Sequence, residues 1–160
     1  MKRLIVTFLF ASLRLMAECS FNSNTLIAKE GEVIDKKSGL IWKRCSLGQE
    51  WQKGKGCVGA IELIKRNEAE EYARSLGNGW RVPTVDELLT LVDKRCKTPV
   101  INSALFGKVH NTGEGANYLT SSLYLEGDEV MPTLFYTIDF IQGVVDAHTK
   151  SYMGAVRLVR

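Results

Sequence analysis

An α+β domain is the fold this sequence predicts, and three observations predict it. Two helix-start signatures stand in the middle of the chain, at Asn67 with Glu70 and at Thr84 with Glu87. Short apolar segments with strand character flank them, near residues 32–42 and again from 118 to 159. Four cysteines in 160 residues suit a domain tied by disulfides. That order of elements suggests a mixed sheet built from N- and C-terminal strands, with two helices packed on one side.

The elements follow in order. Met1-Lys2-Arg3, the apolar run Leu4 to Leu13 and Leu15-Met16-Ala17 have the charged start, apolar middle and small residue of a secretory signal peptide. Cleavage is expected near Ala17, and the protein is expected in the periplasm or the medium. The apolar run is too short to cross a bilayer, which takes about 20 residues, so no transmembrane anchor is expected. Glu18 stands where a lipid-attachment site before Cys19 would need a small residue. Residues 18–30 are polar and read as an N-terminal arm, leaving 31–160 as the domain.

Glu32-Val33-Ile34-Asp35, Lys36-Lys37-Ser38-Gly39 and Leu40-Ile41-Trp42 read as strand, turn and strand, with Gly39 supplying the permissive backbone of the turn. Residues 43–59 are polar and glycine-rich, a surface loop bounded by Cys45 and Cys57. A helix is expected from Asn67, with Ala69, Tyr72, Ala73 and Leu76 on one apolar face and Gly77 and Gly79 at its end. The second helix starts at Thr84 in a Thr-x-x-Glu capping box and buries Leu88, Leu89, Leu91 and Val92. Strands are expected at 118–122, 134–140, 143–147 and 153–159, with a hairpin between Asp139 and Gly143.

Charge and cysteines narrow the function. Cleavage after Ala17 would remove Lys2, Arg3 and Arg14, leaving 18 Lys+Arg against 18 Asp+Glu. A net charge of zero removes the global argument for nucleic-acid or anionic-membrane binding. The distribution is nevertheless polar. Lys43, Arg44, Lys53 and Lys55 face a lone Glu50, whereas residues 98–160 carry four bases against six acids. With Trp51 interleaved, the basic stretch Lys43, Arg44, Trp51, Lys53 and Lys55 is the candidate binding site for a sulfated or phosphorylated glycan, or for an envelope protein. The four cysteines allow three pairings. Cys45–Cys57 and Cys19–Cys96 are favoured, and would stabilise by about 3 and about 4.5 kcal/mol on the chain-entropy model.

Three ordered blocks carry a resemblance. They are Val33-Ile34-Asp35 through Ser38-Gly39-Leu40-Ile41-Trp42-Lys43-Arg44-Cys45, then Gly79-Trp80-Arg81-Val82-Pro83-Thr84 with Glu87-Leu88 and Leu91-Val92-Asp93, and finally Val156-Arg157-Leu158-Val159-Arg160. Together they resemble the Lcl C-terminal domain family of exported bacterial proteins, over about residues 31–160. The central block is also similar to a Trp-Arg-Leu-Pro-Thr block of the formylglycine-generating-enzyme group. That similarity implies a C-type-lectin-like scaffold, though not a lectin activity. Some aromatic positions of the family are absent: Leu119 replaces a tryptophan in Tyr118-Leu119-Thr120-Ser121-Ser122, and Arg66-Asn67 stands in place of a Thr-Trp pair.

The physics of the blocks stands without the family. Trp42, Trp80, Arg81 and Pro83 are expected to be structural, with Trp80 a core anchor and Arg81 paired to a carboxylate or carbonyl. Arg157 alternates with Val156 and Leu158 and is expected on the opposite, solvated or paired, side of its strand. The remaining chemistry is thin. Gly48, Gly54 and Lys55 miss the P-loop spacing, and Gly56 replaces the magnesium-binding Ser or Thr. No Gly-x-Ser-x-Gly elbow exists, and two isolated histidines, His110 and His148, make no zinc site. The C-terminal half lacks the cysteine pair that a formylglycine-type oxidation needs. Glu126, Asp128 and Glu129 read as a solvated loop. The expectation is a non-catalytic binding module without metal or cofactor; the alternatives are a structural subunit of an adhesin or surface assembly, and a divergent formylglycine-type enzyme.

Overall fold

The structure, a computed structural model, describes residues 25–160. The expected signal peptide and Cys19 therefore lie outside the described residues. The element order is β1 (Leu26–Lys29), β2 (Glu32–Asp35), β3 (Ile41–Lys43), β4 (Glu50–Gln52), β5 (Gly56–Val58) and β6 (Ile64–Lys65), followed by the helices α1 (Arg66–Ser75), α2 (Val85–Leu89) and α3 (Ser103–Phe106). The chain then forms β7 (Asn117–Glu126), β8 (Glu129–Asp139), β9 (Val144–Thr149) and β10 (Met153–Gly154). The class is α+β, with strands at both ends of the described residues and the helices between them.

Two antiparallel three-stranded sheets, β1-β2-β3 and β7-β8-β9, make the two halves, with small β4-β5 and β6-β10 pairs beside them. The turn into β3 forms for the reason its sequence gave. Gly39 sits at φ 77° and donates to the Asp35 carbonyl at 2.8 Å, and the Asp35 carboxylate accepts from Lys37 N–H and Ser38 Oγ. The Asp139–Gly143 turn closes in the same way, with Gly143 N–H on the Asp139 carbonyl at 2.7 Å.

The C-terminal segment joins the halves. Ile41 and Arg160 exchange both backbone hydrogen bonds, and Lys43 N–H donates to the Leu158 carbonyl. On its other edge, Arg81 and Val159 exchange both bonds and Leu119 N–H donates to the Ala155 carbonyl. Val156 and Leu158 pack with Ala69, Ala73, Trp80, Leu119 and Phe135, whereas Ala155 and Val159 pack with Trp42, Leu88, Phe106, Tyr118 and Phe140. Both faces of this segment are therefore core.

That arrangement corrects the expectation for Arg157. It does lie opposite Val156 and Leu158, but its face is the second core cluster, and the side chain is completely buried. Its guanidinium lies between the Phe106 and Tyr118 rings, 5.1 and 5.5 Å from their centroids. It donates to the carbonyls of Lys43 (3.0 Å), Arg44 and Phe106 (3.0 Å) and to Ser46 Oγ (3.2 Å). Burial pushes its pKa down, with the Tyr118 hydroxyl acting in the other direction. Only a planar, multi-donor cation fits that set of acceptors.

Other expectations shift. Part of the supposed arm, Leu26–Lys29, is a strand paired with β2, and the supposed loop contains the β4-β5 hairpin. Helix α1 begins two residues early: Lys65 is the N-cap, and Glu68, not Glu70, accepts from its N–H at 3.0 Å. Helix α2 starts at Thr84 as expected. Thr84 Oγ1 accepts from Glu87 N–H, and the Glu87 carboxylate accepts from Thr84 N–H. It ends after five residues, so Leu91 reaches the core from the following turn, and α3 carries no periodic signal. The expected strand 153–159 is a ladder only at Met153–Gly154, then single bridges on alternating sides. Cys45–Cys57 is present, with Cα atoms 5.3 Å apart. It is the single disulfide between described residues. Cys96 is buried and is not a free thiol, and its expected partner Cys19 is outside the description.

Candidate functional site

The Cys45–Cys57 bridge closes a loop over the core and shapes a groove against α1. The loop bends at Gly48, whose φ is 85° and where an added Cβ would meet the Ala60 carbonyl oxygen at 2.4 Å. Only glycine fits that approach. Loop and helix together enclose about 270 Å³. Val156 and Leu158 of the C-terminal segment contribute to its lining, with Leu47 and Trp51 from the loop and Tyr72 and Leu76 from α1.

Tyr72 and Leu76 were expected on the buried face of the helix. Ala69 and Ala73 are indeed buried, but Tyr72 is 41% and Leu76 37% exposed. Two alanines allow the helix to lie close to the sheet, which leaves the larger side chains at its flank to wall the groove. The sequence signal was an apolar face wider than the core needed.

The five sequence-predicted residues divide. Trp51 stands at the groove, and the Arg44 guanidinium covers its ring at 3.7 Å from the centroid. Arg44 is otherwise committed to the fold. Its Nε donates to the Leu105 carbonyl at 2.8 Å, and its terminal nitrogens to the carbonyls of Glu30 and Ala104. Burial lowers its pKa, partly offset by Glu30. It ties β3 to α3 and positions Trp51, leaving little of it for a ligand. Lys43, at the groove edge, holds its Nζ 4.4 Å from the Trp80 centroid.

Lys53 and Lys55 flank Gly54 at the exposed tip of the β4-β5 hairpin, outside the groove lining. No acidic side chain lies within ion-pair distance of either among the described residues. Trp51 also borders a second concavity of about 510 Å³ to which Lys55 and Lys108 contribute. Two polar atoms beside the groove, Trp51 Nε1 and Gln49 Oε1, are buried without a hydrogen-bond partner among the described residues. Such atoms are uncommon in native interiors.

The structural assignments have clear geometry. Trp42 is completely buried. Trp80 is 6% exposed, with Lys43 against its ring and the Arg160 guanidinium 4.6 Å from the centroid. Arg81 makes a two-bond fork with Glu87, both at 2.6 Å. That hydrogen bonding raises the Arg81 pKa and holds the Glu87 carboxyl below its ordinary range. The Pro83 carbonyl accepts from Ser121 N–H and Oγ, and Ser122 Oγ accepts from Val85 N–H. The serines noted in the sequence thus anchor α2 to β7. His148 stacks on Tyr152 at 3.7 Å between centroids. Among the described residues, no three His, Cys, Asp or Glu side chains converge as a metal site, and no helix is long and apolar enough to cross a membrane.

These features define an α+β domain with a disulfide-framed groove beside α1. The chain belongs to the Lcl C-terminal domain family, whose model matches residues 31–160. No curated protein matches the chain at a significant level.

Proposed function

We propose that the protein is an exported, non-catalytic binding module that holds an anionic polysaccharide or an envelope protein in the groove between the Cys45–Cys57 loop and α1. One observation carries the reading. A helix exposes Tyr72 and Leu76 opposite Trp51, beside a hairpin tip bearing Lys53 and Lys55. Exposed aromatic surface next to unpaired cations suits a ligand with flat sugar faces and sulfate or phosphate groups. The scaffold is read as C-type-lectin-like, in keeping with the central Trp80-Arg81-Val82-Pro83-Thr84 block and the pairing of both chain ends. Location in the periplasm or the medium is supported by the disulfide and by the composition of the first 17 residues. The non-catalytic reading rests on the chain having no cysteine after Cys96, with Cys45 and Cys57 joined to each other.

A glycan-array screen of the oxidised protein at low and physiological salt tests this. Hits among sulfated or phosphorylated glycans are expected, weaker with salt and lost in Lys53→Ala/Lys55→Ala and in Tyr72→Ser. A blank array, together with no envelope protein retained in a groove-dependent manner, would overturn the reading.

A further inference from the structure

The groove itself is a poor place for an anion. Its charged lining is Glu50, an acid, and Lys43, whose Nζ is seated against the Trp80 ring. The second concavity that Trp51 borders has the opposite character. It measures about 510 Å³, and its charged lining is Arg44, Lys55 and Lys108, with no Asp or Glu. Three segments distant in sequence supply these cations. Arg44 follows β3, Lys55 stands in the turn of the β4-β5 hairpin, and Lys108 follows the Gly107 that ends α3. Two contacts hold them together. Arg44 donates to the carbonyls of Ala104 and Leu105, which ties β3 to α3. Gly107 lies against the disulfide, where an added Cβ would meet Cys57 Sγ at 3.2 Å. The residue before Lys108 is thus packed on the residue two places after Lys55.

No acidic side chain lies within ion-pair distance of Arg44, Lys55 or Lys108 among the described residues. Glu30 acts on Arg44 from outside the lining. Like charges gathered in a concavity without a counter-charge attract an anion to it. The kind of cation narrows which anion. All three guanidinium nitrogens of Arg44 already donate to carbonyls, so it supplies charge more than a free fork for a planar carboxylate. Lys55 and Lys108 are exposed point charges on flexible stems, able to approach a tetrahedral oxyanion from different directions. We propose that the concavity lined by Arg44, Lys55 and Lys108 is an anion subsite for a sulfate or phosphate ester group of a polysaccharide whose apolar sugar face lies in the groove, with Trp51 bordering both. This rests on the groove being a binding surface. It places the charge of the polymer beside the apolar groove, and it adds Lys108, which lies far from the basic stretch in sequence.

The test is titration calorimetry of the full oxidised protein with sulfated, phosphorylated and carboxymethylated dextran of matched charge density. The wild type is expected to bind an ester polymer, the tighter of the two naming the group, and the carboxymethyl polymer about fivefold or more weakly. Lys108→Ala should lower affinity for the tighter polymer about fivefold, and Lys55→Ala/Lys108→Ala about tenfold or more, as charge-assisted contacts are lost. Lys36→Ala/Lys37→Ala makes the same charge change in the exposed turn after β2. At about 0.15 M salt, where distant exposed charges are screened, it should alter affinity less than about twofold. Near-UV circular dichroism checks that both double variants keep the fold. Equal losses in the two double variants would overturn the inference, as would a carboxymethyl polymer bound as tightly as the esters. Tyr72→Ser separates the two claims. If it loses binding while Lys55→Ala/Lys108→Ala keeps it, the groove reading stands and the subsite falls. If the lysine pair is required and Tyr72→Ser binds like the wild type, the concavity takes the anion alone and the groove reading falls. No binding of any of the three polymers overturns both.

Discussion

Arg157 is the residue on which the most contacts converge. Its side chain satisfies the backbone carbonyls of residues 43, 44 and 106, at two places distant in sequence from it. Replacing it with leucine leaves those buried acceptors unpaired, each a cost of about 1–3 kcal/mol. Arg157→Leu is therefore expected to destabilise by about 3 kcal/mol or more, read by urea unfolding. Arg157→Lys should recover little, because an ammonium cannot span carbonyls arranged for a planar fork. An unchanged midpoint in the leucine variant would contradict this account. The alternation with Val156 and Leu158 was legible from the sequence, and so was the opposite orientation of Arg157. That the opposite side is also core was not, because it depends on Phe106 and Tyr118 arriving from elsewhere. Tyr72 is the converse case: its helical spacing was correct, but the core accepted only the alanines beside it.

Among the elements, α2 shows how closely local chemistry can be read. Thr84 and Glu87 form the expected capping box, and Glu87 also takes the fork from Arg81. The carboxyl is held below its ordinary value, so the folded protein binds this proton less readily than the unfolded chain. The stabilisation is present at neutral pH and fades as the pH falls below the ordinary carboxylate range. Glu87→Gln should therefore lower the melting temperature at pH 7, with the gap to the wild type narrowing as the pH falls below the ordinary carboxylate range. A constant gap across that range would exclude the linkage. The β4-β5 hairpin behaves differently. Cys45 and Cys57 are 12 positions apart, so losing their bond is expected to cost about 3 kcal/mol through the unfolded chain. Cys45→Ser/Cys57→Ser should show that loss in urea, and hydrogen exchange should quicken first at residues 50–58. Uniform quickening instead would mean that the loop unfolds only with the whole domain. The bridge was legible in cysteine spacing. The hairpin inside it was not, since Glu50–Gln52 and Gly56–Val58 are too short and polar for an alternating pattern to register.

At the scale of the molecule, the two sheets are separate in hydrogen bonding, and residues 155–160 hold them together. A chain ending at Gly154 would lose Val156 and Leu158 from one core cluster and Val159 from the other. Such a truncation is expected to lose cooperative unfolding and near-UV circular dichroism while keeping part of its far-UV signal. A sharp thermal transition in the truncated protein would refute that. The α+β class and the use of both chain ends were legible from where the strand and helix signals lie. The separation into two sheets was not, because single bridges on alternating sides look like one continuous strand in sequence. The same segment sets the timing of folding. Ile41 waits for Arg160, and Arg81 waits for Val159, so the contacts that close the core span most of the domain. A growing chain can form the first sheet, the helices and even the β7-β8-β9 meander and still have no finished interior. The domain therefore completes itself only after residue 160 has been made.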